Sequence, residues 1–267
     1  MKACLSFFRM RLINNLQYRT AAWAGVFTQF FWGFMEIQLY MAFHAEHAAA
    51  FPMQLSEVVS YMWLRQAFLA IFNTWSFENE LFEDIRNGNI AYELCRPASL
   101  YGMWFARTAA LRAGRAALRF WPILLVAVLL PEPWGLRLPE SPAAFGGFAL
   151  SMLLTLGVIC AYTLIVYFSC FYTISSDGIR AVIGPVSDFL SGDLIPLPFL
   201  PGWLGTILHY SPFGAMVNAP LRIYSGNISG FAMLEMLLLQ IFWLLALVLF
   251  GYVLQRRGLS RLCVQGG

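Results

Sequence analysis

Six runs of apolar residues, separated by short polar intervals, set the pattern of this chain. The first extends from about Thr20 to Phe43, with Trp23 near one end and Tyr40 near the other, where aromatic side chains anchor a helix at a membrane surface. The second runs from about Glu57 to Phe77. A third helix is predicted from about Leu100 to Leu130, amphipathic at its start and apolar at its end, with Pro122 as a kink site. The fourth run covers Phe145 to Ile174, the fifth only Ile179 to about Leu190 with Pro185 inside it, and the last Phe231 to about Leu254. A bilayer crossing takes about 20 mostly apolar residues. The pattern therefore predicts an all-α polytopic membrane protein, six transmembrane helices in a single domain over residues 1–267.

Three intervals depart from simple spans. Residues 1–19 place Leu5, Phe8, Leu12 and Leu16 at helical spacing among Arg9, Arg11 and Arg19, the pattern of a helix lying in the membrane interface. Ser76–Leu100 is the longest polar interval; it holds five of the fourteen acidic residues, Glu78, Glu80, Glu83, Asp84 and Glu93, and so must stand in water. Ser191–Gly226 is apolar but dense in helix breakers, among them Pro196, Pro198, Pro201, Pro212, Gly214 and Pro220. Irregular backbone at membrane depth is tolerated where protein buries it or where it lines a cavity. Two short re-entrant helices are predicted there, Gly202–Tyr210 and Pro212–Tyr224.

Composition agrees with this pattern. Apolar residues make up 60% of the chain and the mean hydropathy is +0.65, against about 45–50% apolar residues in globular domains. The net charge of +3 is too small to imply nucleic acid, but its distribution sets an orientation. With both termini cytoplasmic, fourteen cations fall inside, only Arg137 and Arg222 fall outside, and Arg65 lies in the membrane. The polar interval is then cytosolic and the breaker-rich interval faces outward. The expected location is the plasma (inner) membrane, with the chain crossing it several times.

Catalytic signatures are scarce. Lys2 is the only lysine, so the lysine that a phosphate-binding P-loop needs after its glycine-rich turn does not exist. Any ATP hydrolysis must come from another chain. The five cysteines lack CxxC spacing, and His44–His47 (HAEH) lacks the spacing that sets two histidines on one helical face for zinc. Asp188 and Asp193 flank one glycine-containing break with no second acidic span beside them, and no Gly-x-Ser-x-Gly elbow occurs. No catalytic or metal-binding residue is predicted, and no cofactor bound by this chain.

Two ionisable residues fall inside predicted spans. Glu36 lies seven residues from the end of the first run and Arg65 eight from the start of the second. At about 1.5 Å per residue both sit about 10–12 Å below the same face, which predicts an ion pair or a shared polar cavity. Gln29, Trp32 and Glu36, spaced by three and four, share a helical face and are candidates for a pathway wall; packing within one subunit is the alternative. An ionised Glu36 facing the pathway would favour organic cations. Arg112, Arg115 and Arg119 share another face, expected to meet the cytosol, lipid phosphates or the polar interval, with Arg107 somewhat off it.

At this point the residues carry a family resemblance. IRNGNIAYELCRP, Ile85 to Pro97, resembles the cytosolic Gly-x-(Ile/Leu)-x-x-x-Leu-x-(Arg/Lys)-Pro signature of ABC-2 type exporter permeases, and Ser191–Gly226 resembles their outer re-entrant region. Six spans with both termini inside are similar to the same family, and the likeness is nearest to its drug or viologen exporters. The resemblance implies two permeases, copies or paralogues, each docked on a separate ATPase subunit that carries ATP and Mg, among membrane lipids and with no nucleic acid. It implies an elbow helix at 1–19 and an ATPase-coupling segment at 78–100 using Glu78, Glu80, Glu83, Asp84, Arg86, Gly88, Glu93, Arg96 and Pro97. It also implies an outer gate at 191–226 that includes Ser191, Gly192, Pro196, Pro201 and Pro212. The implied activity is ATP-driven outward movement of a hydrophobic or amphipathic substrate, a drug or lipid-like molecule. An ion-coupled secondary transporter would use Glu36 or Asp188 and show inverted repeats, which are not evident. A membrane scaffold would use the polar interval for docking alone.

Overall fold

The computed structural model describes residues 2–17, 19–173 and 176–260, which are helical with connecting turns and contain no strand. The end of the fourth run and Arg261 lie outside the described residues. Helices α1 (Lys2–Asn15) and α2 (Arg19–His47) open the chain. The second apolar run, expected as one helix, is instead α3 (Leu55–Ala67) and a single turn, α4 (Leu69–Phe72), with Phe68 between them out of helical conformation. No glycine or proline marks this break; the Phe68 ring stacks on Phe120 at 5.6 Å and meets the edge of Phe148.

The polar interval folds as α5 (Asn79–Arg86) and α6 (Ile90–Leu94). Then come α7 (Leu100–Leu129) and α8 (Pro142–Ser169), each started by a serine: Ser99 Oγ accepts from Gly102 N and Ser141 Oγ from Ala144 N. Next follow α9 (Ser176–Ser191), α10 (Gly202–Tyr210), α11 (Asn218–Tyr224) and α12 (Gly230–Leu259). By length and composition, α8 and α12 are apolar enough to cross a membrane. They pack along each other, while α12 leaves Phe231, Leu238, Phe242, Leu245 and Leu249 exposed.

Two apolar clusters form. The larger joins α2, α3, α4, α7, α8 and α11 through residues such as Ile37, Trp63, Phe72, Ile123, Ile159 and Leu221. The smaller gathers Leu81, Phe82, Ile85 and Ile90 of the polar interval against Leu100, Trp104, Tyr167 and Phe168. Trp104 and Phe168 stack at 5.3 Å with nearly parallel rings. The polar interval thus has an apolar underside with its own core.

The N-terminal helix, expected to rest on the membrane surface through its own stripe, is carried by α7. A Cβ on Gly102 would lie 3.3 Å from Cys4 Sγ, and one on Gly114 3.0 Å from Asn15 Cβ and 3.4 Å from Leu12. These contacts set α1 in the same direction as the first half of α7, with glycine allowing the approach. Leu5 of the proposed stripe is exposed, while Phe8, Leu12 and Leu16 are half-buried.

The breaker-rich interval is anchored from within. Gln240 of α12 is fully buried; its amide nitrogen donates to Ala215 O at 2.9 Å and Thr155 Oγ1 at 3.0 Å, and its oxygen accepts from Ser151 Oγ at 2.9 Å. Thr155 Oγ1 donates to Met216 O at 2.9 Å. The expected helix Pro212–Tyr224 therefore begins only at Asn218, because 212–217 is spent on turns held by this polar knot. Gly214 sits where a Cβ would lie 2.3 Å from Leu208 O and 2.7 Å from His209 O, too close for any side chain. Gly214→Ala is expected to lower stability by about 1–3 kcal/mol, read as a lower midpoint of thermal unfolding in detergent with unchanged helix content before the transition.

Candidate functional site

The first candidate is built on α5. Its sequence NELFEDIR puts Leu81, Phe82 and Ile85 on one side, all buried, and leaves Glu83 and Arg86 exposed, with Asp84 half-buried. Gly88 ends it in the left-handed region at φ 73°, a conformation that glycine adopts without strain. With no atom within 4 Å of its missing Cβ, Gly88 serves the backbone turn and no close packing.

Three of the acidic residues expected to couple to a partner are engaged within the chain. Arg107 of α7 donates through Nε to Glu78 Oε2 at 2.8 Å and through Nη2 to Glu80 Oε2. Trp104 Nε1 donates to Glu93 Oε2. The Glu78 backbone N–H donates to Tyr167 Oη at 2.8 Å, and Arg115 Nη1 to Ser76 Oγ at 3.0 Å. These contacts pin the interval to α7 and α8. Of the residues expected to couple to a partner, Glu83, Arg86, Arg96 and Pro97 stay exposed outside these contacts.

Beside it the start of α9 adds charge that the sequence reading left out. Asn79, Phe82, Glu83 and Arg86 of α5 face Asp177 and Arg180 across a cleft of about 260 Å³. The Arg180 guanidinium lies over the Phe82 ring at 5.0 Å and the Phe77 ring at 5.8 Å. Because both helices shape this cleft, a partner seated in it would touch α5 and α9 together.

The expected arginine face divides by role. Arg112, fully enclosed, donates to Ile71 O at 3.0 Å, Asn73 O at 2.6 Å, Asn73 Oδ1 at 3.2 Å and Thr163 Oγ1 at 3.1 Å. It satisfies carbonyls left open where α4 ends, so it meets neither water nor lipid phosphate. Arg119 packs on α2, its Cζ 2.7 Å from where a Gly25 Cβ would stand.

The second polar constellation lies between α2, α3 and the end of α9. Arg65 pairs with Glu36, and Gln66 Nε2 donates to the same carboxylate at 3.1 Å. Arg65 Nη1 also donates to Asp193 O at 2.5 Å and approaches Asp193 Oδ2 at 3.4 Å. Tyr61 Oη donates to Gly192 O at 2.8 Å, and Thr74 Oγ1 to Asp188 Oδ1 at 2.7 Å. Gly192 is again in the left-handed region, φ 82°, with Tyr61 Oη 3.1 Å from the position of a Cβ.

Depth arithmetic brought Glu36 and Arg65 together; Asp193 was missed as their third member. Engaged with Arg65, Glu36 is not a free charge, which removes the basis for favouring organic cations. Gln29, Trp32 and Glu36 do not form one open wall: Gln29 is buried without a hydrogen-bond partner, Glu36 turns to Arg65, and Trp32 is 49% exposed. Of the expected gate residues, Ser191, Gly192 and Pro196 are buried, Pro212 is half-buried and Pro201 exposed.

Residues 31–266 match the family model for ABC-2 family transporter proteins, almost the whole of the chain. The chain belongs to the ABC-2 transporter family. No curated protein matches the sequence. As a member of this family it is a membrane permease component of an ABC transporter and not the ATPase itself. Members of the family normally work with an ABC ATPase.

Proposed function

We propose that this ABC-2 permease is the membrane half of an ATP-driven exporter for a hydrophobic or amphipathic substrate, of the kind drug and viologen exporters carry. Six spans, formed by α2, α3 with α4, α7, α8, α9 and α12, place both termini in the cytoplasm of an inner membrane. Two copies, or a copy and a paralogue, flank the pathway. The ATPase docks on the open edge of α5 and α6, while 191–226 forms the outer gate.

The observation that carries this reading is the construction of α5. It is a short amphipathic helix with a dedicated core beneath it and its outer acids, Glu83 and Asp84, outside the ion pairs that hold Glu78 and Glu80. A loop with no mechanical role has no need of such a rigid mounting. Ion-coupled transport is disfavoured because Glu36 and Asp188, its candidate ion sites, are bonded to Arg65 and Thr74.

Reversing charge at the open edge, Glu83→Lys with Asp84→Lys, is expected to abolish copurification with the ATPase and ATP-dependent export. Insertion and thermal unfolding should change little, since Glu83 is exposed and Asp84 only half-buried, and charges at such positions contribute about 1 kcal/mol or less. ATPase association and export that both survive the double change would overturn α5 as the docking element.

A further inference from the structure

Arg222 is one of two cations that the charge pattern puts outside the membrane. It stands on α11, half-buried. Its Nε donates to Asn227 Oδ1 at 2.7 Å, and Asn227 Nδ2 in turn donates to Glu57 Oε2 at 3.2 Å. This relay fixes the guanidinium plane without a carboxylate in contact. Among the described residues no acid lies within ion-pair distance of Arg222, and neither of its terminal nitrogens has a hydrogen-bond partner. An arginine end held in place with two parallel N–H donors free has the geometry that carboxylate and phosphate groups accept.

The space in front of it is an open pocket of about 340 Å³. Thr206, His209 and Tyr210 of α10 supply polar groups along one side. Leu197, Pro198 and Leu200 supply an apolar wall. The nearest acid on α12, Glu235, accepts from Tyr210 Oη at 3.2 Å. Outside the pocket, α10 exposes Trp203 and Ile207, so the mouth opens beside an apolar surface.

We propose that this pocket binds an oxyanion, phosphate or carboxylate, at the head of an amphiphile whose tail lies along the Leu197–Leu200 wall. Arg222 takes the oxyanion end-on, and Thr206 and Tyr210 border it. The site rests on these contacts alone and needs neither ATP nor the transport direction. The outward orientation proposed above decides only which leaflet supplies the ligand.

The test is native mass spectrometry of the purified full chain in neutral maltoside micelles, titrated with short-chain phosphatidylglycerol. Competitors are diacylglycerol of the same chains, which lacks the oxyanion, and inorganic phosphate, which lacks the tail. Saturable binding is expected, weakened by about tenfold or more in Arg222→Gln, as for loss of a hydrogen bond to a charged group, and by less in Arg222→Lys. Thr206→Trp, which fills the pocket and leaves Arg222 in place, should lose binding equally and covers the case in which Arg222→Gln fails to fold. Diacylglycerol should not compete, and inorganic phosphate should compete only at far higher concentration. Full binding in either Arg222→Gln or Thr206→Trp, or equal competition by diacylglycerol, overturns the site. Displacement by inorganic phosphate at the concentration of the lipid overturns the amphiphile and leaves a free-anion site.

Discussion

Arg65→Gln is expected to destabilise the protein by about 3–5 kcal/mol, the cost of removing one member of a buried ion pair and leaving its partners charged and unpaired. Arg65 is the only cation paired with Glu36 and Asp193 among the described residues, and it also donates to the Asp193 carbonyl. Glutamine keeps a donor but reaches less far and carries no charge. Two carboxylates would then face each other in a low-dielectric region. The triple variant Arg65→Gln, Glu36→Gln, Asp193→Asn should recover most of the loss, because no charge is left buried without a partner. Thermal unfolding in detergent reads both effects. An Arg65→Gln protein as stable as wild type would show that the network carries no weight; a triple variant no better than the single one would place the loss in packing.

The second large effect is expected from Arg107→Met, which keeps the apolar stem and removes the guanidinium. Its bond to Glu78 is nearly buried and its bond to Glu80 largely exposed, with Glu80 at 63%. Most of the loss, about 2 kcal/mol, should therefore come from Glu78. The functional change should exceed the stability change: the polar interval comes loose from α7, so ATPase turnover persists while export falls about tenfold or more. Glu80→Gln should leave export near wild type. Export retained in Arg107→Met, with the interval still protected from proteolysis, would remove Arg107 as the clamp.

Much of the helical framework is legible in the sequence because long apolar runs leave few alternatives. The first of the two short helices expected in the breaker-rich interval is found over the predicted residues, Gly202–Tyr210, since Pro201 starts it and Ser211 and Pro212 stop it. The Glu36–Arg65 pair is legible because both lie at a countable depth. What the sequence hides are contacts whose partners are far apart along the chain. Asp193 meets Arg65 across 128 residues, and Gln240 meets Ser151 across 89; neither spacing has a period to read. Arg107 stands off the face of Arg112, Arg115 and Arg119, a local sign of a separate partner, but nothing in the spacing names Glu78 and Glu80 as that partner. The break at Phe68 is invisible for the opposite reason: ring packing from α7 and α8 ends the helix where no residue does so locally.

The broken second helix has a mechanical consequence. A rod interrupted at Phe68 would bend there under load instead of passing displacement along its length. Here both fragments are splinted to the same neighbour: Thr74, below the break, holds Asp188 of α9, while Tyr61 and Arg65, above it, hold Gly192 and Asp193 just past its end. Strain entering from the α5 side therefore travels along α9, and the kinked helix borrows its stiffness from the helix that sequence alone made the shortest of the six.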